Sequence, residues 1–171
     1  MEINIKDLEL ISGVNFSDER GRLVKPFSRK FSSELHNIDF KETWFTRSRL
    51  GVIRGMHMQT EPLATRKLVS VLKGKIIDVV LDVRPDSETY GNEFVIEMDE
   101  IDSFTLLIPV GCAHGYEVLV DDTIVMYMAD QVHSEELDIG YHFRSLNYQW
   151  ITEKPIISEK DKTLPKWKTQ L

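Results

Sequence analysis

The sequence predicts an all-β protein, a sandwich or small barrel of short strands. Three observations support this. Apolar and polar residues alternate with period two over several short stretches, as in Ile76–Val83. Gly, Pro and Asp fall between these stretches as turn residues do between antiparallel strands. Only Ser28–Leu35 reads as a short helix and Ser134–Leu137 as a helical turn.

In chain order, the first clear strand is Thr43–Ser48, where aromatic and β-branched residues cluster. Lys67-Leu68-Val69-Ser70-Val71-Leu72 is the next apolar strand. It leads through Lys73-Gly74-Lys75, a hairpin signal, into Ile76-Ile77-Asp78-Val79-Val80-Leu81-Asp82-Val83. That strand puts Ile77, Val79, Leu81 and Val83 on one face and Asp78, Val80 and Asp82 on the other. Further strands are predicted at Glu93–Met98, Ser103–Ile108, His114–Val120 and Thr123–Ala129. The tail from Pro155 has few apolar residues but carries Asp161 and Trp167, which predicts that it docks on the barrel.

The 171 residues suit a single domain spanning 1–171, with one sizeable core. Hydrophobic residues at 42% and charged residues at 29% are ordinary for a globular protein. The net charge of -7 disfavours nonspecific nucleic-acid binding. No apolar run approaches the roughly 20 residues that span a bilayer. Glu2, Lys6 and Asp7 interrupt the N-terminus, so it does not read as a signal peptide, and a cytoplasmic protein is the default. The single cysteine, Cys112, excludes an intrachain disulfide framework and reads as a buried, inert thiol.

The chemistry concentrates in Arg54-Gly55-Met56-His57-Met58-Gln59, followed ten residues after the histidine by Lys67. Arg54 and His57 would be costly core fillers unless paired or lining a cavity. Lys67 on the same concave face could hold an enolate oxygen as negative charge develops. Tyr127 lies on the strand face opposite Met126 and Met128, where a phenol is either core or a proton carrier. Asp161, in Ser158-Glu159-Lys160-Asp161, stands at a helix start or a solvated turn. A base, a cation, a phenol and a distant carboxylate suit proton movement at a carbon beside a carbonyl.

Together these residues resemble the dTDP-4-dehydrorhamnose 3,5-epimerase family from about Phe16 to Pro165. The resemblance runs through Asp18-Glu19-Arg20-Gly21, the Arg54–Gln59 segment, Arg66-Lys67-Leu68-Val69 and Gly74–Arg84. It continues through Ile108-Pro109-Val110-Gly111-Cys112-Ala113-His114-Gly115-Tyr116, Tyr127, Ser158–Asp161 and Pro165. It implies a cupin-type jelly-roll barrel with short flanking helices and a docked tail. It also implies a homodimer whose N-terminal strands cross to the partner, and a nucleotide-diphosphate 4-keto-6-deoxy sugar as substrate. His57 is implied as the base, oriented by Asp161, with Lys67 at the 4-keto oxygen and Tyr127 as the acid on the opposite ring face. Arg20 and Arg54 match positions near the diphosphate, and Arg20 reaches toward the other subunit's site. His114 and Asp78 match polar positions lining the pocket, and Gln59 joins the substrate-binding set. No metal or organic cofactor is implied.

The chain departs from the family at Lys25, where a glutamate is usual, and at Glu42-Thr43-Trp44, where Gln-x-Asn is usual. His133 stands for a tyrosine, and His142-Phe143-Arg144-Ser145 for a Trp-Asn-Asp segment. These positions lie near the nucleotide or the mouth of the site. Another base, a heptose, or inversion at C3 or C5 alone are therefore open alternatives, as is a nucleotide-sugar ketoisomerase. A metal-dependent cupin oxygenase is the rival from another class. Pro109–His114 resembles the second cupin metal motif, but the first motif's two histidines are here His57 and Gln59, too few for three or four ligands. A catalytically dead sugar-nucleotide binding module is a further alternative.

Overall fold

The computed structural model describes residues 2–102 and 104–167. The period-two alternation becomes antiparallel pairing in two facing sheets. The strands are β1 (Glu9–Ser12), β2 (Val14–Asp18), β3 (Gly21–Lys25), β4 (Glu42–Ser48), β5 (Ile53–Gln59) and β6 (Lys67–Lys73). They continue as β7 (Lys75–Asp82), β8 (Glu93–Asp99), β9 (Phe104–Ile108), β10 (Cys112–Val118), β11 (Thr123–Ala129) and β12 (Asp138–Gly140). A helix, α1 (Glu159–Thr163), follows. One sheet has the order β1-β9-β6-β11-β4 and the other β12-β5-β10-β7-β8. From β4 to β7, and again from β8 to β12, the chain changes sheet at each step, which is the winding of a jelly roll.

The seven strands bounded from the sequence match β4 and β6 to β11 to within one or two residues at the ends. The residue at position 103 lies outside the described residues. Gly74, with φ of 84°, makes the β6–β7 turn, where a side chain would collide with Thr123.

Val69, Val71, Val125 and Tyr127 from one sheet pack against Ile76, Val80, Tyr116 and Val118 from the other. Burying each such side chain contributes about 2 kcal/mol. β7 has a less expected orientation. Its more apolar face, Ile77, Val79 and Leu81, points outward, beneath Leu146, Tyr148, Trp150 and Trp167 of the C-terminal segment. Its mixed face, carrying Asp78 and Val80, points toward the barrel interior. The tail therefore docks because β7 presents it an apolar floor. Two carboxylates, the buried Glu117 and the half-buried Glu93, fasten it further. Glu117 accepts from the amides of Ile151 and Thr152, and Glu93 from those of Asn147 and Tyr148. Ile156 then forms a parallel bridge with Val52.

The Ser28–Leu35 helix does not form. Phe27, Phe31 and Leu35 keep helical spacing and do pack into one small cluster. The backbone reaches it through tight turns, with only a 3₁₀ turn at Glu34–Asn37. The hydroxyls of Ser28 and Ser32 accept from the amides of Lys30 and Glu34, offering the backbone local partners in place of helical ones. Leu137 bonds back to the Ser134 carbonyl, a single turn as expected. The β2–β3 hairpin, not read from residue patterns, stands out with every residue exposed. No helix among the described residues is long and apolar enough to cross a membrane.

Candidate active site

Between the sheets lies a cavity of about 1090 Å³, with side chains from both sheets and from α1 on its walls. β5 brings His57 to one wall, and β11, in the facing sheet, brings Tyr127 to another. The chain order Arg54-Gly55-Met56-His57 has a local reason. A Cβ at Gly55 would sit 2.5 Å from the Gly115 Cα, so glycine lets β5 and β10 close on each other. The Gly55 amide donates to Asp161 Oδ2 at 3.2 Å.

Asp161 arrives from 104 residues downstream. Ser158 caps α1 by accepting from the Asp161 amide, and this places the carboxylate against β5. His57 Nε2 and Asp161 Oδ1 are 2.8 Å apart, with the imidazole 28% exposed and the carboxylate 4%. Burial pushes the Asp161 pKa up, but hydrogen bonds from His57 and Gly55 outweigh it and hold the carboxyl below its ordinary value. An ionised carboxylate can only accept, so this geometry assigns the hydrogen to Nε2 and leaves Nδ1 as the open acceptor.

Lys67, at the start of β6, reaches the His57 carbonyl at 3.5 Å. Burial lowers its pKa, Asp138 raises it and Lys160 lowers it again. Lys160 donates to Asp138 at 2.7 Å, so the cation, carboxylate and second cation form one group along the cavity wall. The Tyr127 pKa is raised well above its ordinary value, chiefly by burial, then by the Tyr116 phenol and the Asp78 charge, with Arg54 opposing. A phenol so placed stays protonated.

The remaining candidates divide. Arg54 borders the cavity, exposed, and donates to the Ser48 hydroxyl at 3.1 Å. His114 also borders it, with Nε2 2.8 Å from Asp78 Oδ2. Asp78 itself does not line the cavity. It is fully buried behind His114, and its Oδ1 has no hydrogen-bond partner among the described residues. Glu42, Trp44 and His133 stand at the mouth, where Glu42 accepts from the His133 amide. Gln59 touches the cavity, but its amide nitrogen donates to the carbonyls of Leu63 and Val132, and its oxygen accepts from the Ser134 amide. It therefore holds the loop and has little left for a ligand. Arg20 and Lys25 lie on the exposed hairpin, away from this chain's cavity, and Arg20 is paired with Asp18.

Sequence reasoning missed Asp138, Lys160, Lys41 and Gln131, all on the cavity wall. Lys160 adjoins Asp161 and was legible there. Asp138 lies on a three-residue strand with no pattern of its own. Among the described residues no three His, Cys, Asp or Glu side chains converge as a metal site. Cys112 is buried, and burial pushes its thiol up to about 12.

The sequence profile of the dTDP-4-dehydrorhamnose 3,5-epimerase family matches residues 2–169. The dTDP-4-dehydrorhamnose 3,5-epimerase of Shigella flexneri is 32% identical over 165 residues, covering 94% of this chain and 91% of that protein. The crystal structure of dTDP-4-dehydrorhamnose 3,5-epimerase from Bacillus anthracis with TDP and PPi bound is 34% identical, with a TM-score of 0.91 over 98% of each chain. A 3,5-epimerase from Legionella pneumophila in complex with dTDP-4-keto-L-rhamnose is 28% identical, with a TM-score of 0.89 over 99% of this chain and 98% of that one. A match along nearly the whole length, in sequence and in fold, places this chain in the dTDP-4-dehydrorhamnose 3,5-epimerase family.

Proposed function

We propose that this protein inverts C3, C5 or both of a nucleotide-linked 4-keto-6-deoxy sugar, with dTDP-4-keto sugars as the first candidates. The observation that carries the reading is the carboxylate-backed His57 and the protonated Tyr127 on facing sheets of one cavity, with Lys67 beside His57. The keto group at C4 makes the hydrogens on both flanking carbons acidic. His57 takes one of them and becomes imidazolium, stabilised by Asp161. The C–H electron pair forms the C=C bond of an enolate, the carbonyl π pair moves onto the keto oxygen, and Lys67 holds that oxygen. Tyr127 gives its proton to the opposite face of the carbon as the enolate collapses to the ketone. The phenolate regains a proton and the imidazolium loses one, through solvent. Repeating this at the second carbon inverts both centres.

Arg54 near the cavity suits the diphosphate, and remote binding energy of that kind positions the sugar. Lys67 supplies the enolate's counter-charge, which is the reason to propose catalysis without a metal. The N-terminal hairpin is proposed to cross to a second copy. Val14, Phe16 and Leu23 form an exposed apolar face on it, and Arg20 at its tip would then reach the partner's site. A buried unpaired thiol suits a reducing compartment, in keeping with a cytoplasmic protein.

Proton NMR in deuterium oxide tests the reading, with 4-keto-6-deoxy sugars on dTDP, GDP, CDP and UDP. Deuterium uptake and inversion at C3 or C5 with at least one of them is the expected result. No uptake with any of them removes the epimerase reading.

A further inference from the structure

β4 is an edge strand of its sheet among the described residues, yet Glu42, Trp44 and Thr46 all reach the cavity from it. Thr46 shares a hydrogen bond with the Tyr116 hydroxyl at 2.7 Å. Trp44 lies directly across from Tyr127 in the β4–β11 register. The two rings are nearly parallel, with centroids 5.0 Å apart and planes 6° from each other. The His114 ring meets Tyr127 edge-on at 6.1 Å and 68°. Tyr127 thus has an indole over its face and an imidazole against it, and its swing is restricted in both directions.

Exposure differs sharply between the stacked rings. Tyr127 is 7% exposed and Trp44 is 38% exposed at the cavity mouth. The indole therefore covers the phenol from that side. Burial is also the largest reason that Tyr127 stays protonated.

Resting on the epimerase reading, we propose that Trp44 is a positioning residue for Tyr127. It clamps the phenol ring and keeps bulk water off it, so that an enolate is reprotonated from the Tyr127 face. An enolate in this cavity has two fates. It regains a proton from the His57 side, with retention, or takes one from Tyr127, with inversion. The partition depends on the reach and angle of the phenol O–H, quantities that a displacement of about 1 Å changes by as much as 100-fold in rate. A ring packed only on its edge would librate, and water entering beside it would compete as the proton donor. Trp44 acts through Tyr127 and makes no bond to the reacting carbon.

The test compares wild type with Trp44→Phe, Trp44→Leu and Trp44→Ala, on a 4-keto nucleotide sugar in deuterium oxide. The readout is inverted product divided by total deuterium uptake at the same carbon, at saturating substrate. Trp44→Phe keeps an aromatic face and should hold this ratio within about threefold. Trp44→Ala should lower it by about 10-fold to 100-fold, through kcat rather than KM, and should move the alkaline limb of inversion to lower pH. An unchanged ratio in Trp44→Ala overturns the proposal, even with a raised KM, because Trp44 would then be a binding residue only. An equal loss in Trp44→Phe and Trp44→Ala also overturns it. Melting curves accompany the kinetics. Should Trp44→Ala fail to fold, Trp44→Leu, which keeps bulk without a ring, decides by the same ratio. Absent exchange in the wild type removes the epimerase reading and this proposal together. Normal exchange with an unaltered ratio removes this proposal alone.

Discussion

Two histidine–aspartate pairs stand side by side in this barrel, and they differ in everything except geometry. His57 and His114 are direct partners across β5 and β10, and each places Nε2 2.8 Å from a carboxylate. The His57 side chain is 28% exposed to the cavity and His114 only 4%. Asp161 comes from a capped helix in the tail, and its second oxygen takes the Gly55 amide. Asp78 comes from the interior face of β7, and its second oxygen is unpartnered among the described residues. A base changes charge in every turnover. It needs an open nitrogen and a carboxylate already satisfied by other donors. The first pair has both. The second is enclosed, and its carboxylate depends on the histidine. The same dyad distance thus suits the proposed proton carrier in one place and a structural brace in the other.

The largest expected effect separates the pairs by activity. His57→Asn should lower both deuterium uptake and inversion by about 10,000-fold, the upper end for losing a general base, with the melting temperature little changed. Wild-type exchange in that variant would transfer the role elsewhere, and His114 would be the first place to look. Next in size is Tyr127→Phe. It should lower inversion by about 1,000-fold while uptake with retention persists, because the base remains. Inversion of both carbons at near wild-type rate would mean that another donor serves the second face, such as water or Tyr116.

The same comparison shows what the sequence could reveal. Period-two alternation located β6, β7 and β11, and Gly74 located the turn between the first two. Alternation could not say which face of β7 points inward. The more apolar face lies outside because the C-terminal segment covers it; Asp161 and Trp167 announced that the tail docks, but not onto which face. The helical spacing of Phe27, Phe31 and Leu35 misled, because serine hydroxyls took the local amides. His57, Lys67 and Tyr127 were legible from their residue types and local sequence. Asp161 was paired with His57 only through the family resemblance, since no local pattern links positions 104 apart. The satisfaction of Gln59 by Leu63, Val132 and Ser134, and the retreat of Asp78 behind His114, depend on tertiary contacts and left no trace in the sequence.

A stability measurement sharpens the contrast from the other side. His114→Leu leaves Asp78 buried without its partner and should cost about 3 to 5 kcal/mol. That corresponds to a fall in Tm of roughly 10 °C for a chain of this size. The double variant His114→Leu with Asp78→Leu should recover most of that loss, because two apolar side chains need no partners. Thermal unfolding of the three proteins checks this. A double variant no more stable than His114→Leu would mean that the site cannot accept apolar packing, and the brace interpretation would fail.

The smallest expected effect is a pH dependence that belongs to Asp161. Its folded-state pKa lies below the ordinary carboxylate value because hydrogen bonds from His57 and Gly55 outweigh burial. The sign follows. The folded protein favours the ionised form, so the contribution to stability is fully present above the unfolded pKa of about 3.9. It is lost as pH falls through the lower folded value. Asp161→Asn should therefore be less stable than wild type by about 2 kcal/mol near neutral pH, the scale of hydrogen bonds to a charged group. The gap should narrow below about pH 4 and close as the wild-type carboxyl protonates. Urea unfolding of both proteins at several pH values measures it. A gap that stays constant into acid would mean that the tail is held by its apolar floor and by Glu93 and Glu117 without help from the charge on Asp161. In that case the His57–Asp161 contact would orient the base without fastening α1 to β5.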